Sequence, residues 1–398
     1  MIDSLPESRR VLFYSHDGTG LGHIRITLAV ATAYARLRPH DSLLLLTGSL
    51  QASAFAHPPN LDYIKLPAMP KRDLYASLPP TEGYTGSHNS TIRFRTALAL
   101  ATVQGFDPHL VVVDHAPAGL FREFAPAIEW LRQGVEPKSL ALLMRDITFG
   151  PEQTRTIWKN EGVVPLLDEV YNQILIYGDK QVFDPITAYG MSPQAAARTQ
   201  FCGYLAPAPP RRSAEEVREE VGAAKLPLMV ISAGGGADGC ALLRAYLTGL
   251  REELGPQVHS HLVTGPLLPA EDRQEIANMI EGLPNISVVD FDPDFAAVVR
   301  AADAVVCMGG YNSIVESVYF GKRPIVVPRI PGSAEQVLRA EGFARLGLAR
   351  VVGPVPLSAT SLWEAIEAEL RDPPASPQAV AFNGLDLIAR ELAQPPNV

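Results

Sequence analysis

The sequence predicts two α/β domains in tandem, each a parallel sheet covered by helices on both faces. Three observations carry this. Short runs of β-branched and leucine residues are apolar at every position rather than alternating, and helix-length stretches separate them, the pattern of strands buried on both faces. The rhythm stops near residue 205 and restarts at residue 226. Each half opens with such a run followed directly by a glycine-rich loop.

In the first half the predicted strands are VLFYS (11–15), SLLLLT (42–47), LDYIKL (61–66), HLVVVD (109–114) and SLALLM (139–144). The second half offers LPLMVISA (226–233), VHSHLVT (258–264), ISVVDF (286–291), DAVVCM (303–308) and RPIVVP (323–328). Between them, Pro207, Pro209 and Pro210 cannot extend a helix or a central strand, and Ser213 with Glu216 spells a capping box for the next helix. The linker therefore falls near 205–212, dividing the chain into an N-terminal domain over 1–205 and a C-terminal domain over 206–375. The amphipathic stretch from Val380 to Leu392 is a packing helix available to either domain, including by return of 376–398 onto the first.

A chain of 398 residues exceeds what one core organises, and 47% hydrophobic against 19% charged residues excludes disorder and coiled coil. Lys and Arg number 34 against 43 Asp and Glu, a net charge of -9 that argues against a general nucleic-acid surface. Residues 1–205 hold 18 basic and 19 acidic residues, 206–398 hold 16 and 24. The N-terminal domain is thus the better suited to an anionic or membrane-borne partner. The three cysteines, Cys202, Cys240 and Cys307, are far apart and odd in number, which gives neither a disulfide framework nor a metal spacing and fits a reducing compartment. No apolar run reaches the ~18 residues of a membrane span. The start MIDSLPESRR leads into a strand rather than a signal-peptide core, so the expected location is the cytoplasm.

The first loop, SHDGTGLGHIRITLAVA (15–31), follows a strand and opens a helix. Gly18, Gly20 and Gly22 allow close backbone approach, although a plain strand-to-helix turn would use them too. A dinucleotide site would want an acidic residue after the second strand, where Thr47, Gly48 and Ser49 stand instead, so NAD and FAD are disfavoured. His23 sits in the first turn of that helix, at the sheet edge where such folds bind ligands. VVVDHAPAG (111–119) brings Asp114 and His115 to the same edge, and a carboxylate beside an imidazole orients a general base. His16 is the competing base, and a loop hydrogen bond is the favoured role for His115. MRDITF (144–149) leaves Arg145 and Asp146 on the cleft side, a neighbour pair that is more often a structural tie than a substrate contact.

In the second half, SAGGGADG (232–239) places Gly234, Gly235 and Gly236 after the first strand, with Asp238 as a cap for the next helix. It lacks the Gly-Lys-Ser/Thr of a P-loop, so nucleotide hydrolysis is not expected. CMGGYNSIVESVYFGKRPIVVPRIPGSAEQ (307–336) sets Gly309 and Gly310 at a strand end, Asn312 and Ser313 at a helix start, and Glu316 one turn on. A pyrophosphate fits that helix N-terminus, and a carboxylate one turn further accepts both hydroxyls of a ribose.

The run GGYNSIVES, FGKRPIVVP and EQ resembles the donor half of the MurG-like, family 28 type nucleotide-sugar transferases, which have the α/β GT-B fold of two facing Rossmann-like domains. GTGLGHIRITLAVA is similar to their N-terminal loop, with Arg25 added in GLGHxxR. Over nearly its full length the chain resembles a branch of predicted glycosyltransferases sharing GLGHxxR, VVDHxPxG, RDI followed by a Trp (MRDITF and Trp158), YGD with FDP (177–185) and FCGYL (201–205). The resemblance implies that Gly234, Gly235 and Gly236 approach the diphosphate, and that Gly309, Gly310, Asn312 and Ser313 form the helix-start cradle. It implies that Glu316 holds the ribose, that Phe291 and Asp292 present backbone to the base, and that Glu335 and Gln336 contact the donor sugar. His23 falls where such enzymes place their base and Asp114 where they place its orienting acid. Gly20, Gly22, Arg25, Arg145 and Arg329 become candidate acceptor or phosphate contacts.

The implied activity is inverting, metal-independent transfer from a nucleotide-diphosphate sugar to an acceptor hydroxyl. No cofactor and no metal are expected beyond the nucleotide-sugar co-substrate, a UDP sugar first. The acceptor, a small molecule or a lipid-linked one, stays open. The alternatives are a nucleotide-sugar hydrolase or epimerase of the same fold, or a non-catalytic nucleotide-sugar binding protein. The segment 66–101, with Lys71, Arg72, Arg93 and Arg95, is read as a solvated loop and amphipathic helix before a peripheral contact at the inner face of a membrane.

Overall fold

The computed structural model describes residues 8–16, 22–68, 87–134, 138–223, 225–329, 334–353, 357–372 and 379–394. Gly20, Lys71 and Arg72 lie outside them. The first sheet contains β1 (Arg10–Ser15), β2 (Ser42–Thr47), β3 (Leu61–Lys65), β4 (Leu110–Asp114), β5 (Ser139–Arg145), β6 (Gln173–Tyr177) and β7 (Thr199–Phe201). The second contains β8 (Leu228–Ser232), β9 (His259–Val263), β10 (Ile286–Val289), β11 (Ala304–Cys307), β12 (Ile325–Val326) and β13 (Arg350–Val351). Every strand pair in both is parallel.

The strand orders are β3-β2-β1-β4-β5-β6-β7 and β10-β9-β8-β11-β12-β13. Both reverse direction at one point, between β1 and β4 in the first sheet and between β8 and β11 in the second. In an open α/β sheet that reversal leaves a crevice at the carboxyl ends of the strands. The strands predicted from apolar runs are present, since β1, β4 and β8 are buried almost throughout. Three short or less uniform strands, β6, β7 and β13, were not anticipated; β7 and β13 are edge strands of three and two residues.

Ser213 caps the helix Ala214–Val221, its hydroxyl accepting from Glu216 N while the Glu216 carboxylate accepts from Ser213 N. Asp238 behaves differently from its expected capping role. The helix Cys240–Arg251 starts at Gly239 without a side-chain cap, and the Asp238 carboxylate instead pairs with Arg329 at 2.6 Å. The opposite charge across the loop outcompetes the helix N–H groups for it.

The last helix, Gly384–Ala393, packs on the helix Gly22–Leu37 of the first domain. The chain crosses back where Leu205 and Asn383 form a bridge, and a Cβ on Gly384 would stand 2.7 Å from Gly203 O, so glycine is needed there. Phe13, Leu45, Tyr311, Ile314, Phe343 and Ile388 belong to one buried cluster, so apolar packing continues from one domain into the other. Burying a side chain such as Phe343 contributes roughly 2–3 kcal/mol.

Candidate active site

His23 and Asp114 meet at the crevice of the first sheet. β1 runs beside β4, with Tyr14 opposite Val113, so the helix that follows β1 starts next to the last residue of β4. His23 Nδ1 lies 2.7 Å from Asp114 Oδ2, with the histidine side chain 23% exposed and the aspartate 1%. An ionised carboxylate at that distance places the proton on Nδ1 and leaves the Nε2 lone pair for a substrate proton. Burial pushes the Asp114 carboxyl up to about 7, while the Arg145 guanidinium opposes that rise.

Two further imidazoles surround the pair. The His16 ring centroid lies 4.4 Å from that of His23 and the His115 ring 5.3 Å from it. Burial, helped by His23, lowers His16 to about 3, so it stays neutral and is a poor base at neutral pH. Burial, helped by His23 and Arg145, also holds His115 well below its usual value. Sequence reasoning missed the anchor beneath them. Arg95 is fully buried, bonded to both Glu123 oxygens, to Pro67 O and, at 3.1 Å, to His16 O. The same Glu123 accepts from Tyr14 Oη at 2.5 Å. Arg95 is therefore a structural residue and is not available to a membrane, while Arg93 is exposed.

In the second domain the loops after β8 and β9 touch backbone to backbone. Gly236 has φ +91°, and a Cβ on it would stand 2.6 Å from Thr264 O. Gly234 has φ +63°, and Leu267 N donates to Gly235 O at 2.9 Å. After β11, Gly309 turns with φ +82° and Gly310 is the N-cap of the helix Tyr311–Tyr319. Asn312 and Ser313 occupy its first turn, and the helix end points its free N–H groups toward the crevice. Glu316 is 8% exposed. Burial raises its carboxyl to about 7, with Arg25 of the first domain pulling it down. Arg25 follows Gly22 and His23 on the helix Gly22–Leu37, within electrostatic reach of Glu316.

Phe291 is 59% exposed at the end of β10. Asp292 is committed to Arg212 Nη2 and to Asp294 N, each at 2.7 Å. The sequence does contain aspartates at alternate positions, Asp290, Asp292 and Asp294, a spacing that carries a divalent ion in other transferase folds. Here their carboxylates hold Arg273 and Thr264, Arg212, and the Arg211 and Arg212 N–H groups. Among the described residues, two groups bring ligand atoms within 4.8 Å of one another, His16 with His23 and Asp114, and Cys240 with Asp272 and Glu275. Arg145 beside the first, and Arg244 bonded twice to Glu275 in the second, oppose a cation.

Arg145 and Asp146 do not pair with each other. Each reaches into the second domain, Arg145 Nη1 to Glu335 at 3.4 Å and Asp146 to Arg339 at 3.6 Å. Arg339, fully buried, also pairs with Glu335 at 2.8 Å. Burial raises the Glu335 carboxyl, but Arg339 and Arg145 overcome it and hold the value low. Both guanidinium groups lie over the Tyr311 ring, at 5.5 and 5.6 Å. Tyr204 Oη donates to Asp146 at 3.0 Å, and Arg345 donates to Val182 O at 2.9 Å. The RDI, YGD/FDP and FCGYL segments therefore converge on the seam between domains. Gln336 accepts from Arg329 N at 3.1 Å. Arg339 had one signal in the sequence, its position four residues after Glu335 on a helix.

A cavity of about 800 Å³ lined by Lys138, Asn172, Arg198 and Glu391 lies at the opposite ends of β5, β6 and β7. It is remote from the crevices where α/β sheets bind ligands.

Residues 230–390 match the glycosyltransferase family 28 C-terminal domain. None of the curated proteins compared with the sequence matches it. Solved structures with the same two-domain frame include CalG4, the calicheamicin glycosyltransferase, at 17% identity and TM-score 0.61, covering 97% of this chain and 94% of that one. MurG of Acinetobacter baumannii is 16% identical with TM-score 0.59, covering 98% and 96%. A putative UDP-N-acetylglucosamine 2-epimerase from Listeria monocytogenes is 13% identical with TM-score 0.65, covering 97% and 95%. Fold and C-terminal domain together define a GT-B glycosyltransferase. The family 28 match is confined to residues 230–390, while the two-domain frame shared with the MurG structure runs through nearly the whole chain. Among the described residues no helix is long and apolar enough to cross a membrane.

Proposed function

We propose that the protein is an inverting hexosyltransferase that moves a sugar from a nucleoside diphosphate, UDP first, to an acceptor hydroxyl without a metal ion. The observation that carries it is the His23–Asp114 pair at 2.7 Å on the first domain, across the cleft from the helix start at Gly310 on the second. His23 Nε2 takes the proton of the acceptor hydroxyl as its oxygen bonds to the anomeric carbon. The bond from that carbon to the diphosphate oxygen breaks, and its electron pair leaves with the nucleoside diphosphate. Asp114 holds the imidazole and stabilises its charged form. Backbone N–H groups at Gly234–Gly236 and at the start of the helix Tyr311–Tyr319 receive the leaving charge. Glu316 accepts the ribose hydroxyls, Phe291 and Asp292 frame the base, and Gln336 with Glu335 meets the donor sugar. Arg329, paired with Asp238 beside the glycine loop, is placed to turn toward a phosphate. Gly22 and Arg25 line the acceptor side.

The test is incubation with UDP-, GDP- and dTDP-sugars and an acceptor panel, reading nucleoside diphosphate release and the anomeric configuration of the product. Release of one diphosphate per sugar transferred, with inversion and in the presence of EDTA, is expected. Retention, or a requirement for a divalent ion, would sink the mechanism. Sugar release at full rate without acceptor, or an isomeric nucleotide sugar, would support the hydrolase or epimerase alternative.

A further inference from the structure

Among the described residues, fourteen buried side-chain polar atoms have no hydrogen-bond partner, and five stand at the tips of adjacent strands. They are His16 Nδ1 after β1, Asp114 Oδ1 and His115 Nδ1 at the end of β4, Arg145 Nε at the end of β5, and Tyr177 Oη at the end of β6. A buried polar atom without a partner carries a desolvation cost that a ligand's hydrogen bond removes, so such a cluster beside a reacting group marks a ligand site. The pair His23–Asp114 does not account for it, because the pair uses Nδ1 and Oδ2.

The charge around the cluster selects the ligand's sign. Arg145 remains a guanidinium, and among the described residues its one carboxylate hydrogen bond is the 3.4 Å contact with Glu335. Glu335 is closer to Arg339, at 2.8 Å, and keeps that partner when Arg145 turns away. Arg95 stands behind His16, with Nη2 3.1 Å from the His16 carbonyl oxygen. Glu123 neutralises Arg95 and the His16 and His115 imidazoles are uncharged, so the Arg145 guanidinium, with its Nε unpartnered, is the cluster's charged donor, and it suits an oxyanion rather than a cation. A guanidinium fork matches a carboxylate or phosphate with two parallel bonds. Asp114 is fully buried, Arg145 is 18% and His23 23% exposed, and His16 and His115 are half-buried. The His115 ring lies 5.3 Å from that of His23, and β5 adjoins β4 at the usual strand spacing of about 4.8 Å. An anion on Arg145 therefore sits about one sugar ring away from the base.

We propose that Arg145, with His115 and His16 beside it, is an anion site of the acceptor. The acceptor is then a hydroxyl compound bearing a carboxylate or phosphate within one ring of the reacting hydroxyl. The inference rests on the transferase reading above and narrows its substrate class.

The test compares neutral and anionic twins, N-acetylglucosamine against its 6-phosphate and glucose against glucuronate. Binding to the full-length protein saturated with UDP is read by calorimetry or saturation-transfer NMR, together with the affinity for UDP itself. The anionic twin is expected to bind at least about tenfold tighter. Arg145→Gln should erase that preference, Arg145→Lys should keep part of it, and UDP affinity should stay the same in both. Should Arg145→Gln fail to fold, the wild-type twins and the Lys variant still decide. Equal binding of the twins, no binding of any anionic twin, or a preference that survives Arg145→Gln overturns the assignment. So does a preference carried by the donor, UDP-glucuronate over UDP-glucose, with the acceptor twins equal. Tight Zn²⁺ binding lost in His16→Ala would give the site to a metal instead. Absence of UDP binding would overturn the transferase reading itself, whereas UDP binding without twin discrimination overturns only this proposal.

Discussion

Asp114 Oδ2 stands 2.7 Å from His23 Nδ1 although 91 residues separate them in the chain. The fold makes the contact by ordering β4 beside β1, so the pair is a product of the sheet's reversal rather than of a local motif. Removing the base should therefore damage chemistry and spare donor binding. His23→Ala is expected to lower kcat by about 10²–10⁴-fold while the affinity for UDP changes little. Steady-state kinetics with calorimetry on UDP check this, and a large loss of UDP affinity would contradict the role.

The Asp114 carboxyl, raised by burial to about 7, gives activity and stability opposite pH dependences. Activity needs the ionised form and should fall on the acid side of about pH 7. Stability runs the other way: a carboxyl with a raised folded value stabilises fully below its unfolded value of 3.8 and loses that contribution as pH rises through about 7. Asp114→Asn removes the ionisable group, so its melting temperature relative to wild type should climb between pH 5 and pH 8 while its activity collapses. A pH-independent difference in melting temperature would count against the assignment.

Glu316, also pushed up to about 7 by burial, should make donor binding pH-dependent. If the carboxylate holds the ribose diol, UDP affinity weakens as pH falls from 8 to 6. Glu316→Gln should flatten that curve and bind more weakly at pH 8. Calorimetric titrations at three pH values read the outcome, and an unchanged slope in the variant would refute the contact.

The backbone contact between Gly236 and the Thr264–Gly265 turn leaves no room for a methyl group, with Thr264 O 2.6 Å from the position a Cβ would take. Gly236→Ala should displace the glycine loop and weaken UDP binding by tenfold or more, a change of about 1.4 kcal/mol, without altering the fold seen by circular dichroism. A variant binding UDP as wild type does would show that the loop is not part of the donor cradle.

The Asp146–Arg339–Glu335 cluster has no solvent on Arg339. Truncating one member of a buried ion pair costs roughly 3–5 kcal/mol, because the partner charges stay buried and unpaired. Arg339→Met should therefore lower the denaturant midpoint strongly and loosen the seam between the domains. Asp146→Asn, which keeps the hydrogen bond from Tyr204 possible, should cost less. Chemical denaturation of the three proteins checks the order.

The first sheet's switch point shows how much was legible. Strands β1, β2 and β4 announce themselves as unbroken apolar runs because helices cover both of their faces, and the glycine loops mark the turns that follow. Strands β7 and β13 stayed hidden because edge strands of three and two residues carry too few side chains to form a pattern. Asp238 was misread as a cap because its partner, Arg329, is 91 positions away and local spacing cannot weigh a distant charge. Likewise Arg95 reads as an exposed basic residue next to Arg93, and only its contact with Glu123 reveals a buried anchor.

By itself the sequence determined two α/β halves, the loops that could hold a diphosphate, and His23 and Asp114 as groups at strand ends. Those follow from local rules: apolar period, turn chemistry and helix capping act over a few residues. Only the tertiary structure decided that His23 and Asp114 touch, that His16 is lowered to a neutral imidazole, and that Arg145 and Asp146 reach separately into the other domain. Those outcomes depend on burial and on the distance between charges, quantities set when the two sheets and the seam between them are assembled.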